Sequence, residues 1–385
     1  MLVGSDVHAD LPGSTFELFE GGDEVLDGHL EVLRQCADPV ADPIVEELYD
    51  AGRDAVVAAN RALARLVRNG DPVPATLPAP LRDFFNTPAP LSGVSPDVLR
   101  DGALFYRRYA LQIPIVLQFA TMPLSYTSST AVAALTFSGQ LLKRPLERSF
   151  NTAQMVYDAM AINGFEPEGM GVRSCQKVRL MHSAVRYKLR RRGWDKVRHG
   201  AALNQEDGLG TLYAFSLLSL FGLARMGARF ERQHAEAFHA RWRVVGLMMG
   251  LTPEMLPTDL DDAMRLFARI IGRQLDPNID TGGLMARWLE VLEGLVPHRV
   301  FKPYVPAAIE ALLGSKVARA HGLHTTAEQV HTARRILCTT TSLDAALPGH
   351  GQVRQGIDLL MWRLFMALFE RAKGHKRTTF ALPPL

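Results

Sequence analysis

An all-α fold is what this sequence predicts, on three observations. Long segments of Ala, Leu, Arg and Met carry apolar residues at intervals of three and four, Pro and Gly punctuate them, and alternating β-branched runs of strand length are scarce. Its 385 residues, 47% hydrophobic and 22% charged, have the composition of a globular chain with a sizeable core, neither disordered nor fibrous.

Taken in order, Pro43 to Arg68 reads as one or two helices, and the proline-rich stretch Gly70 to Ser95 as a connecting loop. Ser95-Pro96-Asp97 then opens a helix, because a serine oxygen caps free backbone N–H groups and a proline in the first turn has no N–H to leave unpaired. This helix leads through Leu104 and Tyr109 into Ile113 to Phe119, where Pro114 should kink or divide it. Ser128 to Leu142 and Pro145 to Asn163 follow, the second stopping at an Asn163-Gly164 pair suited to a left-handed C-cap. A strongly basic helix spans Arg173 to Arg192 and ends at Gly193. Asn204 to Asp207 supply a cap and N-terminal acids for an apolar helix through Leu223. Phe230 to Met249, Asp259 to Gln274 and Gly282 to Leu295 continue the pattern, with Pro253 and Pro257 marking a loop.

Charge and cysteine content exclude several classes. With 43 basic against 40 acidic residues, the net charge of +3 is too even to imply nucleic-acid binding. Cys36, Cys175 and Cys338 are far apart and odd in number, which argues against a disulfide framework or a CxxC zinc site. Met1 to Phe16 contains three acids and no Lys or Arg, unlike a secretory signal, so the expected location is cytoplasmic. Tyr109 to Leu124 and Leu212 to Ala224 are shorter than a membrane span requires and read as core helices. The closing segment, Ile357 to Lys376, sets Leu360, Phe365, Met366 and Phe369 beside Arg363, Arg371, Lys373 and Lys376. Such a basic amphipathic helix suits either a membrane surface or, as the preferred reading, packing on its own domain.

The residue that points furthest is His182. Val178, His182, Val185 and Leu189 form the apolar stripe of the basic helix, so the imidazole should face inward. It is then either a core histidine satisfied by a backbone carbonyl, or a neutral ring able to accept a hydrogen bond, shuttle a proton or ligate a metal. On the preceding helix, Arg148 and Thr152 stand four apart and share a face, which Met155 and Ala159 continue. Rival metal sites are weaker. Glu231/His234 and Glu236/His239 imitate di-iron pairs but lie on one helix, and His321, His324 and His331 fall in a polar region. No GxSxG, GxGxxG or Walker-type loop occurs.

Three segments in order carry a family resemblance: Arg148-Ser-Phe-Asn-Thr152, Arg179-Leu-Met-His182-Ser-Ala-Val-Arg186, and Asn204-Gln-Glu-Asp207 with Thr211, Phe215 and Ser216. Asp38-Pro-Val-Ala-Asp42, Gly102-Ala-Leu-Phe105, Trp242-Arg-Val-Val-Gly246 and Leu256-Pro257 support them. Over roughly Asp38 to Pro257 the chain resembles the latex clearing proteins, the rubber oxygenases whose relatives include an ER-bound fungal oxygenase. The resemblance implies a globin-like helical core holding haem b, with His182 as iron ligand and Arg148 and Thr152 in the haem pocket. Arg179, Arg186 and Lys177 flank the ligand helix and would meet the propionates. Residues 1–37 then form an N-terminal extension, 38–300 the haem-binding oxygenase-like domain, and 301–385 helices packed on that domain.

Two departures from the family pattern bear on chemistry. Rubber-cleaving members carry a lysine immediately before the threonine, where this chain has Asn151. They also place a glutamate one helix earlier, whereas Ser125 to Leu142 contains no carboxylate. The expectation is a haem-dependent oxygenase using O2 on an apolar, unsaturated substrate, and the two departures count against polyisoprene as that substrate. The alternative is a haem-binding sensor or carrier without turnover.

Overall fold

The structure, a computed structural model, describes residues 24–138, 145–281, 283–296, 299–345, 352–372, 374 and 377–384. Helices follow one another along the chain: α1 (Glu24–Gln35), α2 (Ala41–Asp50), α3 (Arg53–Leu63), α4 (Ala79–Asn86), α5 (Pro96–Arg108), α6 (Gln112–Val116), α7 (Met122–Ser125), α8 (Ser129–Ser138), α9 (Pro145–Met160) and α10 (Gly171–Arg191). After these come α11 (Lys196–His199), α12 (Gln205–Phe215), α13 (Leu217–Arg225), α14 (Arg232–Met248), α15 (Leu260–Gln274), α16 (Leu284–Leu295), α17 (Val305–Leu313), α18 (Ser315–Ala320), α19 (Ala327–Ala345) and α20 (Gln352–Ala372). Among the described residues there is no strand beyond one isolated bridge, Ser128 to Leu275, so the fold is all-α.

Helix α10 lies between two apolar clusters. Val172, Cys175 and Val178 pack into the large core, while Leu180, Ala184 and Tyr187, on the other side, join α2, α3 and α4 in a smaller one. Burial in apolar surroundings pushes the Cys175 thiol up to about 12, so it packs as a neutral side chain. Residues from both ends of the chain share the large core, from Leu30 and Leu33 on α1 to Val305, Ile309, Leu312 and Phe369. Helices α5 and α14 press closely enough that a Cβ on Gly102 would stand 2.5 Å from the Ala237 carbonyl.

Predicted caps recur in the structure. Ser95 Oγ accepts from the Val98 N–H and Asn204 Oδ1 from Asp207, and Gly193 takes a left-handed φ of 85° after α10; Asp259 Oδ1, a cap not foreseen, accepts from Asp261 and Asp262. Other details differ. The loop expected between Gly70 and Ser95 contains α4, because Leu81, Phe84 and Phe85 find burial against α10 that local sequence does not announce. Helix α5 stops at Arg108, and Pro114 sits in the first turn of α6, where its missing N–H costs nothing; a π-helical turn, Leu117–Thr121, follows. Helix α9 ends at Met160, and Gly164 does not take a left-handed φ. Glycine is needed there for closeness, since a Cβ would meet the Asp158 carbonyl at 2.6 Å. The expected Ser128 to Leu142 helix is seen to Ser138, and its remainder lies outside the described residues.

The run Gln205–Arg225 is long and apolar enough to cross a membrane, yet 72% of its apolar window is buried, and it divides at Ser216 into α12 and α13. The closing amphipathic segment becomes α20, where Phe369 is buried and Trp362 meets the rings of Tyr106 and Tyr157 edge-on. The side chain of Phe365, together with Lys373 and Lys376, lies outside the described residues.

Arg241 holds this packing at its centre. Only 1% exposed, it donates to the carbonyls of Leu99 (2.7 Å), Ala159 (2.7 and 3.0 Å) and Ala161 (2.5 Å) and lies over the Phe165 ring. A cation at the end of α9 suits the helix dipole, while burial lowers its pKa to about 10. Replacing it by Met (Arg241→Met) removes four charge-assisted hydrogen bonds to backbone carbonyls and should cost about 3 kcal/mol, read as a lower urea midpoint.

Candidate functional site

His182, Arg148 and Thr152 come together where α9 packs on α10. His182 lies deep in the fold but keeps some accessible surface, as does Arg148. Burial, reinforced by the charges of Arg186 and Arg148, lowers the His182 pKa to about 3, which makes the ring neutral at physiological pH. Among the described residues neither ring nitrogen has a hydrogen-bond partner. The alternative of a core histidine satisfied by a carbonyl is therefore not what the structure shows.

Arg148 donates from Nη1 to Thr152 Oγ1 at 2.6 Å, and that hydroxyl donates back to the Arg148 carbonyl at 3.3 Å. No carboxylate pairs with the guanidinium among the described residues; burial lowers its pKa, and Tyr126 partly opposes that. Tyr126 is fully buried and its hydroxyl has no hydrogen-bond partner. Burial pushes that hydroxyl's pKa up, so it stays protonated as a potential donor. The sequence reading missed Tyr126. Its one signal was a tyrosine within the apolar segment ahead of α8, which no periodicity distinguishes from core.

Ser149 exchanges hydrogen bonds with Gln118 (3.1 and 3.2 Å), tying α9 to the π-helical turn, whose Gln118 carbonyl accepts from Trp288 Nε1 at 2.9 Å. Asn151, beside Thr152, accepts from the Thr378 hydroxyl at 2.7 Å and so engages the C-terminal segment. Phe119, Met122, Leu135, Phe150 and Ala153, on the same helices, are apolar and only partly buried.

Arg179 and Arg186 stand differently from the expectation of partners for an anionic cofactor. Arg179 grips Asp38 through two bonds (2.6 and 2.7 Å), and Arg186 donates to Asp42 from Nε (2.8 Å) with its Nη2 in ion-pair contact (2.7 Å), beside the Ser183 hydroxyl on the same carboxylate (2.6 Å). Burial alone would raise the Asp38 pKa, but Arg179, the Ala41 N–H and Arg186 outweigh it and hold the carboxyl below its ordinary range. These charges are already neutralised, and they clamp α2 to α10. Lys177 lies elsewhere, under the C-terminal segment. The rival metal sites do not assemble. His239 Nε2 lies 3.0 Å from the Pro257 carbonyl and His321 Nε2 2.8 Å from that of Pro123, and no metal-ligating cluster occurs among the described residues.

Set against solved structures, this all-α fold has a counterpart. It superposes on a latex clearing protein in its closed state with a TM-score of 0.72, covering 87% of this chain and 91% of that one at 21% identity. The chain belongs to the family described as ER-bound oxygenase mpaB/B'/Rubber oxygenase, catalytic domain, which matches residues 107–342, more than half its length. A rubber oxygenase from Streptomyces sp. (strain K30) is 25% identical over 295 residues, 74% of this chain and 70% of that relative. The family match starts after Asp38-Pro-Val-Ala-Asp42 and continues past Pro257 into α19, further toward the C-terminus than the residue resemblance reached.

A neutral buried imidazole makes stability depend on pH with a definite sign. Between pH 6.5 and about 3 the unfolded chain binds a proton at His182 that the native one does not, so stability falls as pH falls through that window. The contribution reaches about 1.4 kcal/mol per pH unit at most. Denaturant midpoints at pH 7 and pH 5 should therefore differ more for the wild type than for His182→Leu.

Proposed function

We propose that this chain is a haem b-dependent oxygenase that acts with O2 on an apolar, unsaturated substrate. The observation that carries the reading is the unpaired neutral imidazole of His182 beside the buried, carboxylate-free Arg148, in a family of oxygenases. The donor set fits the group: a neutral ring nitrogen for iron, a buried cation for negative charge, and a free tyrosine hydroxyl. When bound, haem supplies the redox-active iron at which O2 is activated.

The residues themselves have separable tasks. His182 would hold the iron, and its deep position excludes protonation that would compete for the lone pair. Arg148 would meet a propionate or negative charge developing on the reactants, with Thr152 holding the guanidinium in one rotamer through the 2.6 Å bond. Tyr126 offers a proton donor near that charge. Phe119, Met122 and Ala153 would favour an apolar substrate. Arg179 and Arg186 position α10 and are not assigned to the cofactor. We do not extend rubber cleavage from the relative to this chain, because Asn151 is bonded to Thr378 and Ser125 to Leu142 offers no carboxylate base. Those two features favour a second reading, a haem carrier without turnover.

A cytoplasmic location is part of the proposal, supported by three cysteines that are all unbonded. The even charge supports no nucleic-acid partner.

His182→Ala should lose the Soret band on purification and after reconstitution with hemin while keeping its helical circular dichroism; a variant that retains the full band defeats the assignment. In haem-loaded protein, Arg148→Met should lower O2 consumption on terpenoid or unsaturated lipid substrates by about a hundredfold. A wild type that consumes no O2 with any of them is a carrier.

A further inference from the structure

Behind α10, away from His182, a cavity of about 150 Å³ lies between α3, α10 and the C-terminal segment, lined by Ala64, Val67, Arg173, Ser174, Lys177 and Arg377 to Phe380. Lys177 precedes His182 by five residues, about 140° round the helix, so the two spaces open from different faces. The segment that covers the cavity is strapped down at both ends. Arg377 donates to Asp158 and Thr378 to Asn151, while further on Asn60 brackets Leu382 (2.9 and 2.8 Å) and Tyr49 donates to the Pro383 carbonyl at 2.6 Å.

The groups facing this cavity do not balance in charge. Arg173 is 7% exposed and donates to the Phe85 carbonyl, Gln176 and the Asp71 carbonyl. Asp158 is engaged by Gln154, Ser174 and Arg377. Lys177 is 5% exposed and, among the described residues, has no hydrogen-bond partner. Asp158 and Asp71 are the acids whose charge reaches it, against the charges of Arg377 and Arg173, and desolvation with that repulsion lowers its pKa to about 8. An ammonium can donate three hydrogen bonds, and no described group accepts one from Lys177, which leaves its donors to whatever occupies the cavity.

We propose that this cavity is a binding site for a small oxyanion, phosphate or a phosphate monoester group, with Lys177 as its central contact and Arg173, whose buried Nε has no hydrogen-bond partner among the described residues, and Arg377 beside it. A tetrahedral oxyanion accepts from several donors converging from different elements, supplies the missing negative charge, and joins the C-terminal strap to α10. Occupancy would hold the strap, and through Thr378 the side chain of Asn151 beside Thr152.

The test is isothermal titration of the full chain with inorganic phosphate, and separately with glycerol phosphate, at constant ionic strength, alongside thermal unfolding. One phosphate should bind per chain and raise the Tm, and Lys177→Met should weaken binding about tenfold or more while leaving the phosphate-free Tm equal or higher, since it removes an uncompensated buried charge. Tighter binding of the monoester identifies a phosphorylated molecule as the ligand; tighter binding of phosphate identifies the free ion. Absence of one-to-one binding, undiminished binding by Lys177→Met, or a lower phosphate-free Tm in that variant overturns the proposal. Phosphate should bind equally well to haem-free His182→Ala, so the outcome is independent of the haem assignment.

Discussion

The orientation of α10 depends on the pairing of Arg179 and Arg186 with Asp38 and Asp42. Both acids are buried, and turning the helix by one residue would strand two carboxylates and a guanidinium in a poorly hydrated interior. Removing one partner of such a pair costs about 3–5 kcal/mol, far more than an exposed ion pair contributes. With the helix pinned in that rotation, His182 can only face α9, and Leu180, Ala184 and Tyr187 can only face α2, α3 and α4. The ion pairs thus serve the candidate site by fixing the element that carries it.

Compensation of charge separates structural cations from candidates for binding. Arg179, Arg186 and Arg241 are each surrounded by acceptors, carboxylates in the first two cases and carbonyls in the third. Arg148 and Lys177 are as deeply placed but lack such partners among the described residues. A desolvated cation without a counter-charge is unfavourable unless something else arrives, and the two examples lie on opposite faces of α10. Composition and charge count treat all five alike.

Much of the fold was legible because it rests on local rules. The stripe through Val178, His182, Val185 and Leu189, and the caps at Ser95 and Asn204, use side chains within four residues of the groups they serve. Where partners are distant, the reading failed. Helix α10 has no side-chain cap of its own; Asn69, a hundred residues earlier, accepts from the N–H groups of Val172 and Arg173. Helix α4 forms because its phenylalanines pack on α10, and the turn at Gly164 is closed in by the Arg241 guanidinium as well as by the Asp158 and Ala161 carbonyls.

The sequence by itself determined the all-α class, the inward face of the basic helix, the shared face of Arg148 and Thr152, and the family, since periodicity and ordered motifs are one-dimensional properties. Only the tertiary structure decided which arginines are neutralised, that the Tyr126 hydroxyl and the His182 ring have no partner among the described residues, and that the C-terminal segment closes a basic cavity over Lys177. Those outcomes depend on which buried donors meet acceptors from remote parts of the chain, and spacing along a helix carries no information about that.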